Sequence, residues 1–372
     1  MKLNRHSRMV TVAAIGALSL TLAACGSDNA VQDVTTPGET PTAGETASTL
    51  SGQLEGAGAS SQESAMAAWI AGFQNANPDA SVAYDPVGSG GGRTQFLEGG
   101  TQFAGSDAAL KDDELAQAAT RCVSGQAAEL PVYISPIAVI FSLEGIDSLN
   151  MSAATVAGIF NQQITNWNAP EIAAENPGVE LPDLAITPVN RSDESGTTQN
   201  FTDYLAAVAP EAWPYEASGD WPVAGGQSAQ GTSGVVQTVT DGSGTIGYAD
   251  ASRAGDLGTV ALKVGDAYVP FSPEAAAAVV DASPRAEGRA DSGVVIEIDR
   301  TTTAAGTYPL VLVSYEIACT SYPDANEAAL VKAFLTYVAS EEGQSVAASA
   351  AGSAPISADL RTEIQAVIDS IA

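Results

Sequence analysis

An α/β fold is predicted by two observations. Strand-like runs alternate along the chain with helix-like ones, and the apolar residues of the helix-like runs recur at helical spacing. The strand-like runs are SVAYDPV (81–87), PVYISPIAVIFS (131–142), LAITPVN (184–190), TIGYADA (245–251) and YPLVLVSYEI (308–317). Between the first parts of the chain lies QESAMAAWIAGFQ (62–74), where Met66, Trp69, Ile70 and Phe73 fall on one helical face and are expected in the core. Near the end, ANEAALVKAFLTYVASEEGQSVAASA (325–350) reads as a helical region with Leu330, Phe334 and Val338 on one side. No internal repeat is visible.

The chain begins with a basic segment, MKLNRHSRMV, followed by an apolar run over 9–24 that is too short to span a bilayer as a helix. It ends in Leu22-Ala23-Ala24-Cys25, which resembles the lipobox of bacterial lipoproteins. That resemblance implies a signal peptide over 1–24, cleavage before Cys25 and lipidation of that cysteine. One acyl chain holds a membrane only marginally, so stable attachment calls for more than one. Residues 25–50 are rich in Thr, Gly, Pro and Glu and poor in large apolar residues, so they read as a flexible tether. The folded part is expected from about Ser51 to Ala372, long enough for two domains.

Charge and composition exclude several function classes. The formal charge is −30, and loss of Lys2, Arg5 and Arg8 with the leader takes it to about −33. No nucleic-acid partner is expected, since nucleic acid and anionic lipid are poor partners for such a surface, and an anion can be held only where donors are local and dense. The single histidine, His6, lies in the leader, so Ser-His-Asp and Cys-His chemistry and histidine metal sites are absent from the processed chain. None of Lys111, Lys263 and Lys332 follows a serine at SxxK spacing. No enzyme activity, metal or cofactor is expected. Cys122 and Cys319 form an even pair, which in an exported protein favours a disulfide, although spacing does not show that the two meet.

Four segments share a pattern of strand-like run, then Gly and hydroxyl residues, then a helix-like run. They are Gly56-Ala57-Gly58-Ala59-Ser60-Ser61, Gly88-Ser89-Gly90-Gly91-Gly92, Phe103-Ala104-Gly105-Ser106-Asp107 and the stretch VNRSDESGTTQNF (189–201), where Arg191 precedes Ser195-Gly196-Thr197. Helix N-termini carry unpaired N–H groups and the positive end of the dipole, and glycine lets an oxyanion approach those amides. Each segment by itself is a capped turn; four of them form an anion site only if the fold makes them converge. The second segment is one residue short of the phosphate-loop spacing and carries Arg for Lys, so that reading fails. Asp107 can equally serve as the N-cap of a helix over DAALKDDELAQAA.

Ordered motifs make the chain similar to a known family. LEGAGASSQ (54–62), YDPVGSGGGRTQF (84–96), FAGSDAAL (103–110), ELPVYISPIAVIF (129–141), IFNQQITNWN (159–168), NRSDESGTTQNF (190–201), GTIGYAD (244–250) and AGSAPIS (351–357) resemble the substrate-binding lipoproteins of the bacterial phosphate-specific ABC transporter. The surroundings of Cys122 and Cys319 resemble the actinobacterial branch, which implies a Cys122–Cys319 disulfide. The resemblance implies a two-lobed periplasmic-binding-protein fold of type II, with ligand in the inter-lobe cleft and two hinge crossovers. Lobe one would combine 51–136 with 308–372, and lobe two would be 137–307. The phosphate-binding set it implies is Ser60, Ser61, Ser89, Asp107, Arg191, Ser195, Gly196 and Thr197. This chain departs from the pattern where relatives carry a threonine and a large apolar residue at 60 and 61, and often a serine at 90.

The implied function is capture of inorganic phosphate by a monomer held on the outer face of the cell membrane through Cys25, and delivery to the permease subunits of the transporter. Arg191 would supply charge and a planar fork, and the hydroxyls of Ser60, Ser89, Ser195 and Thr197 and the amides of Ser61, Gly196 and Thr197 would donate. Asp107, an acceptor, would favour an anion that still carries a proton and reject sulfate. The rival readings are a binding protein for another oxyanion, a surface-anchored phosphoesterase, and a sensing or adhesion protein.

Overall fold

The structure, a computed structural model, describes residues 50–122 and 125–372. The expected leader, Cys25 and all of the expected tether except Leu50 lie outside the described residues. The chain runs through β1 (Gly52–Gly58), α1 (Glu63–Ala76), β2 (Ala80–Asp85), α2 (Ser89–Leu97), β3 (Phe103–Ser106), α3 (Asp112–Arg121) and the long β4 (Ala127–Phe141). There follow β5 (Ser148–Met151), α4 (Ala153–Phe160), α5 (Pro170–Glu175), β6 (Thr187–Arg191), α6 (Gly196–Val208), β7 (Gln227–Ala229) and α7 (Gly231–Asp241). Then come β8 (Thr245–Asp250), β9 (Gly258–Val264), β10 (Ala267–Val269) and α8 (Pro273–Ala282). The chain closes with β11 (Val311–Cys319), α9 (Ala325–Ala339), α10 (Glu341–Ala351) and α11 (Ala358–Asp369).

The hinge of the architecture is β4. Its sequence is a continuous apolar run without alternation, the pattern of a strand covered on both faces, and every residue of it is buried. Over Ala127–Pro136 it pairs antiparallel with β11, whose other edge carries β3, then β1, then β2. From Ile137 to Phe141 its partner is β8, which leads on to β6 and β7. The switch falls at Pro136 and Ile137, and the Ile137 N–H donates to Leu310 O (2.9 Å) on the returning chain. One strand therefore belongs to two half-molecules, and the described residues form one compact unit. The stretch 284–296 crosses the sequence-based division: its Ser292 O accepts from Glu129 N–H (3.0 Å), Val294 N–H donates back to Glu129 O (3.0 Å), and Ile296 N–H donates to the Tyr315 hydroxyl (3.1 Å).

Local sequence explains the packing around this sheet. In α1, Met66, Trp69 and Phe73 are buried as expected and Ile70 is half-buried. The Trp69 indole donates to Gly343 O (2.8 Å), and Phe73 meets Phe334 of α9 edge-on at 5.4 Å. Removing such a side chain costs about 3–5 kcal/mol. The expected single C-terminal helical region is two helices, because Ser340 takes an extended backbone and its hydroxyl oxygen accepts from Gly343 N–H (3.0 Å). That side chain starts α10 where α9 ends. Cys122, at the end of the strongly charged α3, is joined by a disulfide to Cys319 at the end of β11. A link spanning 197 residues restricts the unfolded chain and contributes about 2–5 kcal/mol.

Glu316 in β11 has no exposure, and neither carboxylate oxygen has a hydrogen-bond partner among the described residues. Burial pushes its carboxyl well above the usual carboxylate range, opposed only by the Gln62 side chain. Because the folded state holds this proton more tightly than the unfolded state, its contribution to stability falls as pH rises above the ordinary glutamate range. The slope is about 1.4 kcal/mol per pH unit until the folded group ionises. Glu316→Gln removes that slope. Urea unfolding at pH 5 and pH 8 is expected to show the variant gaining on the parent as pH rises; a constant difference would contradict the burial account.

Candidate functional site

The four Gly/hydroxyl segments converge. Ser60 and Ser61 follow β1, Ser89 opens α2, Asp107 follows β3, and Arg191 ends β6 with Ser195, Gly196 and Thr197 at the start of α6. β1 and β3 run parallel in one half, and β6, β7 and β8 run parallel in the other. Carboxyl ends of parallel strands from both halves therefore face one crevice, the usual ligand position in such sheets.

Asp107 is the point where the halves meet. It is 3 % exposed, and its two carboxylate oxygens accept from the Ser61 hydroxyl (2.6 Å) and the Thr197 hydroxyl (2.8 Å). Its own N–H donates to Ser89 Oγ (3.1 Å), and its carbonyl accepts from Asn200 Nδ2 (2.7 Å) of α6. Burial raises the Asp107 pKa, while the Ser61 and Thr197 hydroxyls and the Arg191 charge pull it back. Asp107 does not cap a helix: α3 starts at Asp112, with Lys111 at the cap and Glu114 accepting from its N–H (2.8 Å). The segment 107–111 is instead a pinned loop, with Leu110 N–H donating to Glu129 Oε1 (2.7 Å) and Leu110 O accepting from Arg289 Nη1 (2.9 Å). Close approach at this point requires Gly196, since a Cβ there would lie 2.7 Å from both Asp107 Cβ and Ser89 Oγ.

Arg191 is buried at 3 % exposure, with its guanidinium paired to the Asp193 carboxylate through Nε (2.9 Å) and Nη2. Asp193 also accepts from Gly231 N–H (3.0 Å). The backbone N–H of Arg191 donates to the Tyr248 hydroxyl (3.3 Å), which lies 2.7 Å from Thr198 Oγ1. Burial pushes the Tyr248 phenol up to about 12, so it stays a neutral hydroxyl. Its ring stacks on Phe201 at 4.3 Å, which fixes it against α6.

Donor directions divide the hydroxyls into two groups. Ser61 and Thr197 direct theirs at Asp107, so the Thr197 hydroxyl is not turned to the crevice as the sequence leads one to expect. Ser89 Oγ and Ser195 Oγ each accept from an amide, from Asp107 and Thr198 respectively, so their protons remain to be donated. Gly196 and Thr197 are the first helical residues of α6, whose N–H groups have no carbonyl one turn back. Ser60 Oγ accepts from Thr232 N–H (3.0 Å) and lies 3.1 Å from Thr232 Oγ1.

Two members of this cluster were missed in the sequence. Thr232 belongs to a fifth Gly/hydroxyl helix start, Gly231-Thr232-Ser233-Gly234, which had the same signature as the other four. Asp193 stood two residues from Arg191, but only the folded loop shows that it clamps the guanidinium. No group of three or more His, Cys, Asp or Glu residues is placed to hold a metal among the described residues. No helix among them is long and apolar enough to cross a membrane.

Comparison with known proteins places this geometry in context. Residues 43–342 match the family model described as the PBP superfamily domain. Phosphate-binding protein PstS 3 of Mycobacterium leprae is 37 % identical over 350 residues, covering 90 % of each chain. Phosphate-binding protein PstS 2 of Mycobacterium tuberculosis is 32 % identical over 381 residues and the full length of both. Among solved structures, a high-affinity periplasmic phosphate-binding protein, PfluDING, bound with phosphate, superposes with a TM-score of 0.68 at 21 % identity, covering 85 % of this chain and 93 % of that one. The fold is that of periplasmic binding proteins.

The meeting of the two crevice walls is directly testable. In a Ser60→Cys, Thr232→Cys variant the new thiols replace oxygens 3.1 Å apart. Mild oxidation is expected to join them, read as loss of the thiol hydrogens by intact-mass spectrometry. Free thiols persisting under conditions that oxidise ordinary proximal pairs would contradict the placement of α7 against the β1–α1 turn.

Proposed function

This chain belongs to the PBP superfamily and, within it, to the PstS phosphate-binding proteins, and from that premise we propose that it captures inorganic phosphate in the crevice around Asp107 and Arg191 and hands it to an ABC importer. The observation that carries the reading is the Asp107 carboxylate, held from both walls and set among donors beside one buried guanidinium.

Phosphate enters as an anion that still bears a proton near neutral pH. Arg191 presents its remaining N–H groups, and Ser60, Ser89 and Ser195 present hydroxyls. The amides of Ser61, Gly196 and Thr197 complete the cradle, in the manner of helix N-termini that receive phosphate. Each charge-assisted bond contributes about 1.5–3 kcal/mol net, and several together offset dehydration of the anion. Asp107 has lone pairs left after accepting from Ser61 and Thr197, and these accept the phosphate proton. Sulfate brings no proton and would leave two acceptors face to face. Chemistry on the ligand forms no part of the reading: the site supplies neither a histidine base nor an activated nucleophile.

The two walls are the two lobes, 51–136 with 308–372 and 137–307, except that 284–296 packs on the first, and they are hinged where β4 changes partner and where Pro309 and Leu310 return. The lobes close on phosphate, and the closed form is what the permease subunits recognise. The chain acts as a monomer on the outer face of the membrane, attached through lipidated Cys25 and a tether that raises its effective concentration near the importer.

Equilibrium dialysis of metal-free protein against labelled phosphate tests this. Phosphate is expected to be retained, displaced by arsenate, and left in place by sulfate. Arg191→Lys, which removes the fork but keeps the charge, is expected to lower affinity by about 10- to 100-fold, the loss of one or two such bonds. No retention by the unaltered protein would refute the reading, and release of phosphate from an ester would support the phosphoesterase instead.

A further inference from the structure

Glu194, between Asp193 and the cap residue Ser195, does not point at the crevice floor. It belongs to the β6–α6 loop of one half, yet its Oε1 accepts from Arg93 Nη2 of the other half at 2.9 Å and lies 3.4 Å from Lys111 Nζ. Arg93 is 1 % exposed, and its other donors are already committed within its own half. Its Nε bonds both oxygens of Glu114 (2.9 and 3.1 Å), and Nη1 bonds Ser106 Oγ (2.9 Å). Glu194 therefore adds to an ion pair that exists without it, and adds only when the halves are together. Lys111, half-exposed, contributes little beside it.

The slot that receives Glu194 is shaped by missing side chains. A Cβ on Gly90 would stand 2.0 Å from Glu194 Oε2 and 2.7 Å from its Cδ. On the other side, a Cβ on Gly219 would stand 2.6 Å from Oε1. Gly90 lies inside α2, where glycine costs a helix about 1 kcal/mol relative to alanine and its backbone shows no positive φ. Space, and not backbone conformation, is what glycine supplies there. The Gly90 N–H also faces the Glu194 carbonyl, at 3.4 Å.

We propose that Glu194 docked between Gly90 and Arg93 is a closure latch that sets how slowly phosphate leaves. This rests on the reading of the crevice as a closing phosphate site. In the open form Glu194 is solvated and Arg93 keeps Glu114, so opening loses one part-buried ion pair and the fit of the carboxylate in its slot. Contacts made only in the closed form act on dissociation, as truncation of one partner of a buried charge pair does at interfaces.

The test is a double-mutant cycle read by the rate at which bound phosphate is released to a trap. Gly90→Ala, whose methyl would occupy the slot without adding a donor, and Glu194→Ala are each expected to speed release by about tenfold, equivalent to about 1.4 kcal/mol. The association rate should move far less. In the double variant the added methyl meets an emptied slot, so release is expected to match Glu194→Ala alone, a coupling that independent sites do not show. Glu194→Gln keeps the volume and loses the charge, and its release rate is expected between the parent and Glu194→Ala; it also serves if the alanine variant folds poorly. Release unchanged in both single variants, or a Gly90→Ala effect of equal size with and without Glu194, would overturn the latch. Failure of the unaltered chain to bind phosphate would instead overturn the functional reading.

Discussion

A carboxylate shared by two walls is the constraint on which the rest of this structure depends. Asp107 sits at the end of β3 and is bonded by Ser61 from its own half and by Thr197 from the other. A buried charge is tolerated only where its lone pairs are met. The turn after β1, the start of α6 and the loop before α3 must therefore all reach one point. Gly196 allows that approach, and Asn200 secures it by donating to the Asp107 and Gly196 carbonyls (2.7 and 2.9 Å). The division of β4 between β11 and β8 is the scaffold that brings strands of both halves to the same crevice.

Charge by itself would make this an unpromising anion binder. The chain carries 44 acidic against 14 basic residues, and the Arg191 guanidinium is already paired with Asp193. Two carboxyl groups, on Asp107 and Asp193, stand beside the Arg191 guanidinium, so the site is not built as a cluster of cations. What it offers is oriented dipoles: first-turn amides and hydroxyls whose acceptor side is already used by the backbone. Such groups need little reorganisation when an anion arrives, which suits selection by hydrogen bonding better than by attraction. Pairing with Asp193 also fixes the plane of the Arg191 guanidinium.

Much of this was legible in the sequence because it is local chemistry. Glycine and hydroxyl residues at the ends of strand-like runs marked helix starts, and Ser195 does cap α6 through Thr198 N–H (3.2 Å). The buried run of β4 and the face of α1 followed from periodicity alone. What escaped depends on segments distant in sequence. Asp107 looked like a helix cap because five residues of loop have no signature that separates them from a first turn. The glycines at 90–92 read as a turn ahead of a helix but lie within α2, whose Gly92 packs where a Cβ would be 2.3 Å from Gly58 Cα. The pairing of 292–294 with Glu129 shows no alternation to read, since it is held by isolated bonds. Glu194 is invisible as a partner of Arg93, 101 residues away, until the fold joins them.

The central claim is that the Asp107 carboxylate chooses the anion by accepting its proton. Titration calorimetry of the Asp107→Asn variant and the parent, with phosphate and with sulfate at neutral pH, tests it most directly. An asparagine keeps the shape and turns one acceptor into a donor. The ratio of phosphate to sulfate affinity is then expected to fall by about 10³-fold or more, with sulfate gaining in absolute affinity. An unchanged ratio in a variant that still folds and still binds phosphate would contradict the account.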